Sequence, residues 1–269
     1  MTSMSSPTPS QPDPTQRRDA KALARAARAT QKAKSKAEQV RAQAARQKRR
    51  PALGVEAIIE RALRIVDAEG VDAVSMRRVA AEFDTGPASL YAHVANKDEL
   101  LRMVLDRIID EIEVPAAGDW QDVVRTWAHS SRAVLMRHND IARLTFAHIP
   151  SGPKMLDTTE VLLASMIGGG VPPQVATCAL DITSMYVGAD AYEGWLMGQR
   201  FDDGSGRDPE EIGLEYVAGI TAYFATLPAE RYPYLTGNVK AMMTGGSDER
   251  FGFGIDMLIA GFAAQVDSK

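Results

Sequence analysis

The chain predicts an all-α protein, on three observations. Aliphatic and small side chains dominate and aromatics are only 6% of the residues, too few for the usual strand-rich composition. Apolar positions recur at helical spacing, with no sustained alternation of the kind a half-buried strand needs. Gly and Pro clusters punctuate the periodic stretches, as at Gly168-Gly169-Gly170 and Pro172-Pro173. At 269 residues the chain is long enough for two domains with a substantial core.

Residues 1–50 stand apart. Residues 1–14 are rich in Ser, Thr and Pro and are expected to be disordered. Residues 15–50 contain no Gly or Pro and favour helix, but they offer no apolar face to bury. The first fifty residues hold 13 Lys and Arg against 3 Asp and Glu, a balance of +10, whereas the remainder carries 18 against 32, or −14. Either the tract is a solvated tail, or it is an arm that tracks phosphates or enters a minor groove. Lys48, Arg49 and Arg50 meet the next segment, and an overall net charge of −4 hides this split.

The next elements are short. Val55, Ile58, Ile59, Ala62, Leu63, Ile65 and Val66 make the broad apolar face of one helix, stopped by Gly70. Ser75 suits an N-cap, after which Met76, Val79, Ala80 and Phe83 form one stripe. Asp84-Thr85-Gly86 breaks that stripe, with Gly86 expected to take the turn conformation closed to other residues. Pro87 then starts a short helix to about Val94, whose Leu90 and Val94 face inward. Asn96 caps a third helix, with Glu99 placed as in a capping box. Two short helices around a Gly-containing turn match the helix-turn-helix, which lays its second helix in the DNA major groove. Periodicity alone also allows an ordinary helical bundle.

Downstream, Leu101, Val104, Leu105, Ile108 and Ile112 mark a long connecting helix, and 114–118 is the expected domain break. Helices are predicted at about 119–137, 140–148, 153–167, 172–198, 210–226 and 248–266, with a polar loop from Phe201 to Glu211. The expected organisation is a basic arm over 1–50, a helix-turn-helix domain with its connecting helix over 51–114, and a helical ligand-binding and dimerisation domain over 115–269.

Several classes are disfavoured. The single Cys178 excludes an internal disulfide framework and suits a reducing cytoplasm. The start has neither the charged nor the apolar part of a signal peptide, and no membrane span is expected. The chain has four His and one Cys, with no HExxH, GxSxG or CxxC pattern, so neither an enzyme nor a cofactor is expected. His138 and Asp140 read as helix-end polar residues. A sequence-neutral architectural DNA binder driven by the basic arm stays open as the alternative.

The stretch from Ala62 to Leu101, above all Ser89-Leu90-Tyr91-Ala92-His93-Val94-Ala95-Asn96-Lys97, resembles the DNA-binding domain of the tetracycline-repressor (TetR) family. The resemblance continues through Gly118-Asp119-Trp120-Gln121-Asp122, Arg132 to Asp140, and Phe251 through Gly261, into that family's ligand domain. It covers roughly 55–266 and is weak near 200–245. It implies a ligand-responsive, dimeric repressor of double-stranded operator DNA. Tyr91, His93 and Lys97 match phosphate-contacting positions, and Arg77 matches a position that reaches DNA. Chemistry alone lets Arg77 or Arg78 fork onto a guanine edge, a solvated or phosphate-bound Arg78 being equally open. Ala88 and Ser89 suit small contacts such as a thymine methyl. With Arg49, Arg50, Thr85, Gly86 and Pro87, these residues make up the expected DNA interface.

The resemblance also implies that the helices near 172–198 and 248–266 pair with their copies in a dimer. The second contains Gly252, Gly254, Ala260, Gly261, Ala263 and Ala264, whose small side chains suit a tight interface or an equally close intrachain contact. A small-molecule effector is expected among Trp127, Thr145, His148, Met155, Tyr186, Asp190 and Trp195. Glu113 and Thr145 stand where tetracycline binders carry His, so the effector is expected to differ from a magnesium–tetracycline complex.

Overall fold

The structure is a computed structural model that describes residues 53–146, 151–202 and 204–266, together with Gln31. The described elements belong to one compact unit that starts at Leu53, and they are helical throughout. The expected arm, including Arg49 and Arg50, lies outside the described residues, as does His148.

Helix α1 (Val55–Glu69) buries Ile58, Ile59, Ala62, Leu63, Ile65 and Val66, the face its periodicity marks. Gly70 ends it at φ 84°, its N–H donating to the Val66 carbonyl at 2.8 Å. After a 3-10 turn at Val71–Ala73 comes α2 (Met76–Ala81), capped by Ser75, whose hydroxyl accepts from the Arg78 N–H at 3.1 Å.

The turn after α2 is built differently from the expectation. Gly86 is extended (φ −84°, ψ 157°), and the left-handed residue is Asp84 at φ 51°. The hydrogen bonds explain the shift. Asp84 N–H reaches the Ala81 carbonyl at 3.0 Å and Thr85 N–H reaches the Ala80 carbonyl at 3.1 Å, the paired closure of a Schellman ending. That closure requires its left-handed residue at position 84, and Asp is among the few non-glycine types that tolerate it.

The segment expected as a helix from Pro87 to Val94 is a 3-10 turn at Pro87–Ser89 followed by a hydrogen-bonded turn. His93 and Val94 N–H both reach the Leu90 carbonyl, at 2.8 and 2.9 Å. The segment is wound mainly by i→i−3 bonds, Ser89 to Gly86, Leu90 to Pro87 and His93 to Leu90, and its one i→i−4 bond, Val94 to Leu90, is not followed by another. Helix α3 (Lys97–Ile109) begins where Asn96 accepts from the Glu99 N–H at 2.8 Å, and Glu99 reaches back to the Ala95 N–H at 2.6 Å. It stops short of Ile112, which is half-buried against the core.

The body comprises α4 (Trp120–Arg137), a 3-10 stretch at Ile141–Phe146, α5 (Pro153–Gly168), α6 (Pro173–Phe201), α7 (Pro209–Ala225), α8 (Pro233–Gly237), α9 (Val239–Met242) and α10 (Ser247–Ala263). Helices α8 and α9 lie where no helix is expected from the sequence, in the stretch of weakest resemblance. Helix α6 is the axis. Ala176, Ala179, Leu180, Thr183, Val187, Gly188 and Ala191 form its buried face, and α4, α5, α10 and the 141–146 stretch pack around it. Gly188 is needed there, since any side chain would overlap the Thr145 hydroxyl. Helix α7 buries no residue. Among the described residues, no helix is long and apolar enough to cross a membrane.

Candidate functional site

The head formed by α1–α3 presents one continuous exposed edge. Leu90 and Val94 are 0% and 1% exposed, and they anchor the short turn segment in the core. That anchoring turns their neighbours outward. Tyr91 is 54% exposed, Gly86, Pro87 and Ala88 are open, and Thr85, Ser89, His93 and Lys97 are half-buried. The Thr85 and Ser89 hydroxyls lie 2.9 Å apart and brace the turn.

The two arginines of α2 differ. Arg77 is exposed and makes no ion pair among the described residues. Arg78 is bound to Glu82 and, at 2.9 Å, to Glu69, and these hydrogen bonds hold its basicity above the ordinary value. A guanidinium so occupied has little left for a base edge, whereas Arg77 is free to reach outward.

The head is fastened to the body by buried polar groups. Asp140, only 4% exposed, accepts from the Val71 N–H at 2.7 Å. Its other oxygen lies 3.0 Å from Arg143, which also binds Asp72 at 3.0 Å. His138, buried at the end of α4, lies 2.8 Å from Asp67 and 3.4 Å from Glu111. The structure therefore corrects the reading of His138 and Asp140 as mere helix-end polar residues: both reach across to the head. Burial pushes the Glu111 carboxyl up, but hydrogen bonds from Arg137 and His138, with their charge, more than offset this and hold it below the ordinary range.

The body encloses a cavity of about 340 Å³, within the usual range for small-molecule sites. Leu105, Asp106, Ile108 and Ile109 of α3 supply one wall, and Trp127, Ser131 and Leu135 of α4 another. Met155, Thr158, Thr159 and Leu162 of α5 and Leu180, Asp181, Ser184 and Val187 of α6 complete it, with Thr145. A wider groove of about 980 Å³ is lined by residues 115–119, the first turns of α4 and the second half of α5.

Of the residues expected at a ligand site, the cavity brings together Trp127, Thr145 and Met155. Tyr186, Asp190 and Trp195 lie elsewhere. Tyr186 stacks on Phe251 at 5.4 Å, and burial, followed by the charge of Asp190, raises its hydroxyl pKa. Asp190 binds the buried Arg132, which also holds Asp248 at 2.6 Å and lies 4.8 Å from the Phe251 ring. Trp195 donates to Asn139 at 2.9 Å. No group of three or more His, Cys, Asp or Glu comes together to hold a metal among the described residues. The Thr145 hydroxyl donates to the Ala142 carbonyl at 2.7 Å, which makes it a poor substitute for a ligating imidazole.

Sequence reasoning missed Asp106 and Ser131. Asp106 looks like an ordinary polar residue on the outer side of α3. In the structure it accepts from the Met155 N–H at 3.0 Å, capping α5, and Gly152 lies so close that a side chain there would collide with its carboxylate. For Ser131 a signal did exist. It occupies a slot of the apolar stripe Val124, Trp127, Ala128, Val134 and Leu135, where a hydroxyl has no evident reason to be.

Residues 58–104 match the family described as "Bacterial regulatory proteins, tetR family", and residues 112–266 match "Tetracyclin repressor-like, C-terminal domain". The chain is 30% identical to the HTH-type transcriptional repressor DrrR1 of Streptomyces coeruleorubidus, over 82% of this chain and 81% of that protein. The solved structure of apo ActR from Streptomyces coelicolor is similar at a TM-score of 0.71, with 34% identity over 81% of this chain and 98% of that one. ActR in complex with actinorhodin is similar at a TM-score of 0.70, with 36% identity over 79% of this chain and 96% of that one.

Proposed function

This chain belongs to the tetracycline-repressor family of DNA-binding regulators, and from that premise we propose how its parts carry out ligand-relieved repression. The observation that carries the reading is the composition of the cavity wall. Asp106, Ile108 and Ile109 belong to α3, the helix that completes the DNA-reading head, so any occupant of the cavity touches the head directly. Asp106 also caps α5, so a ligand that shifts α5 pulls on α3. A ligand fitting best when α3 is displaced favours the DNA-incompetent state, and only that difference in affinity can release the operator.

On DNA, the Pro87–Val94 segment enters the major groove, with Ala88 and Ser89 toward base edges, Tyr91, His93 and Lys97 on phosphates, and Arg77 reaching from α2. The protein works as a homodimer. Ile182 and Met185 on α6 and Phe253 and Met257 on α10 are 45–68% exposed within the single chain, a surface that a second copy would cover. Gly254 serves a different contact, its missing side chain making room for the Tyr186 hydroxyl. Dimerisation sets the two reading segments about 34–36 Å apart, for successive major grooves. Residues 1–50 add phosphate contacts; their deletion is expected to weaken operator binding and flatten its salt dependence.

The effector is a small molecule of predominantly apolar character, and actinorhodin, the ligand of the similar ActR, is the first to test. The test is a footprint on the DNA upstream of the protein's own gene, with and without actinorhodin. A protected near-palindrome, bound at least about 10³-fold tighter than bulk DNA, is expected. Binding no tighter than to bulk DNA would instead favour a sequence-neutral DNA binder.

A further inference from the structure

The hydroxyls around the cavity are not alike. Thr145, Thr159 and Thr177 each donate to a carbonyl of the preceding turn, at 2.7, 2.8 and 2.9 Å, and so does Thr183 deeper in α6 at 2.7 Å. These protons are committed, and the oxygens act only as acceptors. Ser151, Thr158 and Ser184 also line the cavity without such a bond, but they are exposed or half-buried and water reaches them; Ser131 is the buried one. It is 4% exposed, it lines the cavity, and its Oγ has no hydrogen-bond partner among the described residues. A buried, unpaired hydroxyl is costly, and the cost is recovered only when something brings it a partner.

The geometry points to Ser131 as a specificity-determining residue: its hydroxyl binds an uncharged oxygen group, a carbonyl or phenol, carried by an otherwise apolar ring compound. This rests on the reading of the cavity as the effector site. The lining around Ser131 supports the choice of chemistry. Trp127, Leu135, Ile108, Leu180 and Val187 offer apolar contact and no charge. The cavity's three charged residues are accounted for: Asp106 caps α5, Asp181 is on the exposed side of α6, and Arg102 pairs with Glu99 at 3.8 Å. An anion seated at Ser131 would exchange its hydration shell for a single hydroxyl, which does not compensate. A neutral oxygen loses much less water and gains a donor already in place.

The test compares two probes that differ by one hydroxyl, 1-naphthol and naphthalene, bound to the full-length protein and measured by calorimetry. In the wild type, 1-naphthol should bind roughly tenfold tighter than naphthalene, the worth of one good hydrogen bond. Ser131→Ala should abolish that preference while leaving naphthalene affinity within about twofold, since only a hydroxyl facing the ligand is removed. The melting temperature of ligand-free Ser131→Ala should hold or rise, because no existing bond is broken. A clear fall would show that the hydroxyl already has a structural partner and would overturn the proposal. Equal affinity for the two probes in the wild type, or a preference that survives Ser131→Ala, would also overturn it. Thr158→Trp or Leu163→Trp, either of which fills the cavity, separates this failure from a failure of the site itself. Probe binding that persists in the filled variants would place it outside the cavity and remove the effector reading as well.

Discussion

The head and the body keep their working groups in opposite places. In the head, buried residues such as Leu90, Val94 and Val79 are scaffolding, and the groups proposed to meet DNA lie on the outer edge. In the body, the proposed effector site is internal, a cavity whose walls come from α3, α4, α5 and α6 and from Thr145. The reading edge is contiguous in sequence, because a short turn segment carries both its anchors and its contacts. The cavity draws on residues from Arg102 to Val187, and no local stretch resembles it. A surface site of this kind can be built by local rules, whereas an internal one depends on how separate helices pack.

That contrast can be broken most forcefully at the head's anchor. Leu90→Ala empties a fully buried position under the reading edge. It should cost about 2–5 kcal/mol in denaturant unfolding and abolish operator binding, because the edge has no other support. Retained DNA affinity in a stable Leu90→Ala protein would mean that the edge does not depend on its core.

The next largest effect is expected where head and body meet. Asp140→Ala strands the Val71 N–H and leaves Arg143 without a buried partner, and should cost about 2–3 kcal/mol. It should also blunt ligand-driven operator release, measured by titrating preformed complex with effector, because displacement of the body would reach the head less faithfully. A variant that is destabilised but releases normally would confine the joint to a structural role.

Smaller effects sharpen the account of the reading edge. Arg77→Ala should weaken operator binding by roughly tenfold, within the 1–3 kcal/mol typical of a direct contact. Arg78→Ala should change affinity by less than about threefold, since Glu69 and Glu82 already hold that guanidinium. The reverse order in a binding titration would show that DNA pulls Arg78 out of its ion pairs.

The smallest effect is pH dependence at the joint. Glu111 is held below the ordinary carboxylate range in the folded state, so its contribution is present above its unfolded pKa and is lost as pH falls through the folded value. Wild type and Glu111→Gln should therefore differ in stability near neutral pH and converge below about pH 4. Partial exposure keeps the difference under about 1 kcal/mol, so a pH-independent gap would assign Glu111's role to packing.

Legibility in the sequence follows the same divide. The ends of α1 at Gly70, the Ser75 and Asn96 caps, the inward Leu90 and Val94, and most body helix limits were readable, since each depends on neighbours within about one turn. Helices α8 and α9 went unread, being too short for a period to show. Trp127, Thr145 and Met155 were placed together by resemblance, but Tyr186, Asp190 and Trp195, equally aromatic or polar, were not separable from them. Composition cannot say which side of α6 faces α5 and which faces α10.

The amino-acid order alone therefore dictated which faces are apolar, where most helices begin and stop, and that a capped short helix, a turn and a second capped helix follow one another near the front of the chain. Those outcomes come from backbone hydrogen bonding and side-chain periodicity, which act over a few residues. Packing settled the rest. It put the left-handed residue at Asp84, joined His138 and Asp140 to a head some seventy residues earlier in the chain, and left the Ser131 hydroxyl buried with no partner among the described residues. A helical period specifies that a face will be covered, but the identity of the covering helix emerges only when all of them compete for the same core.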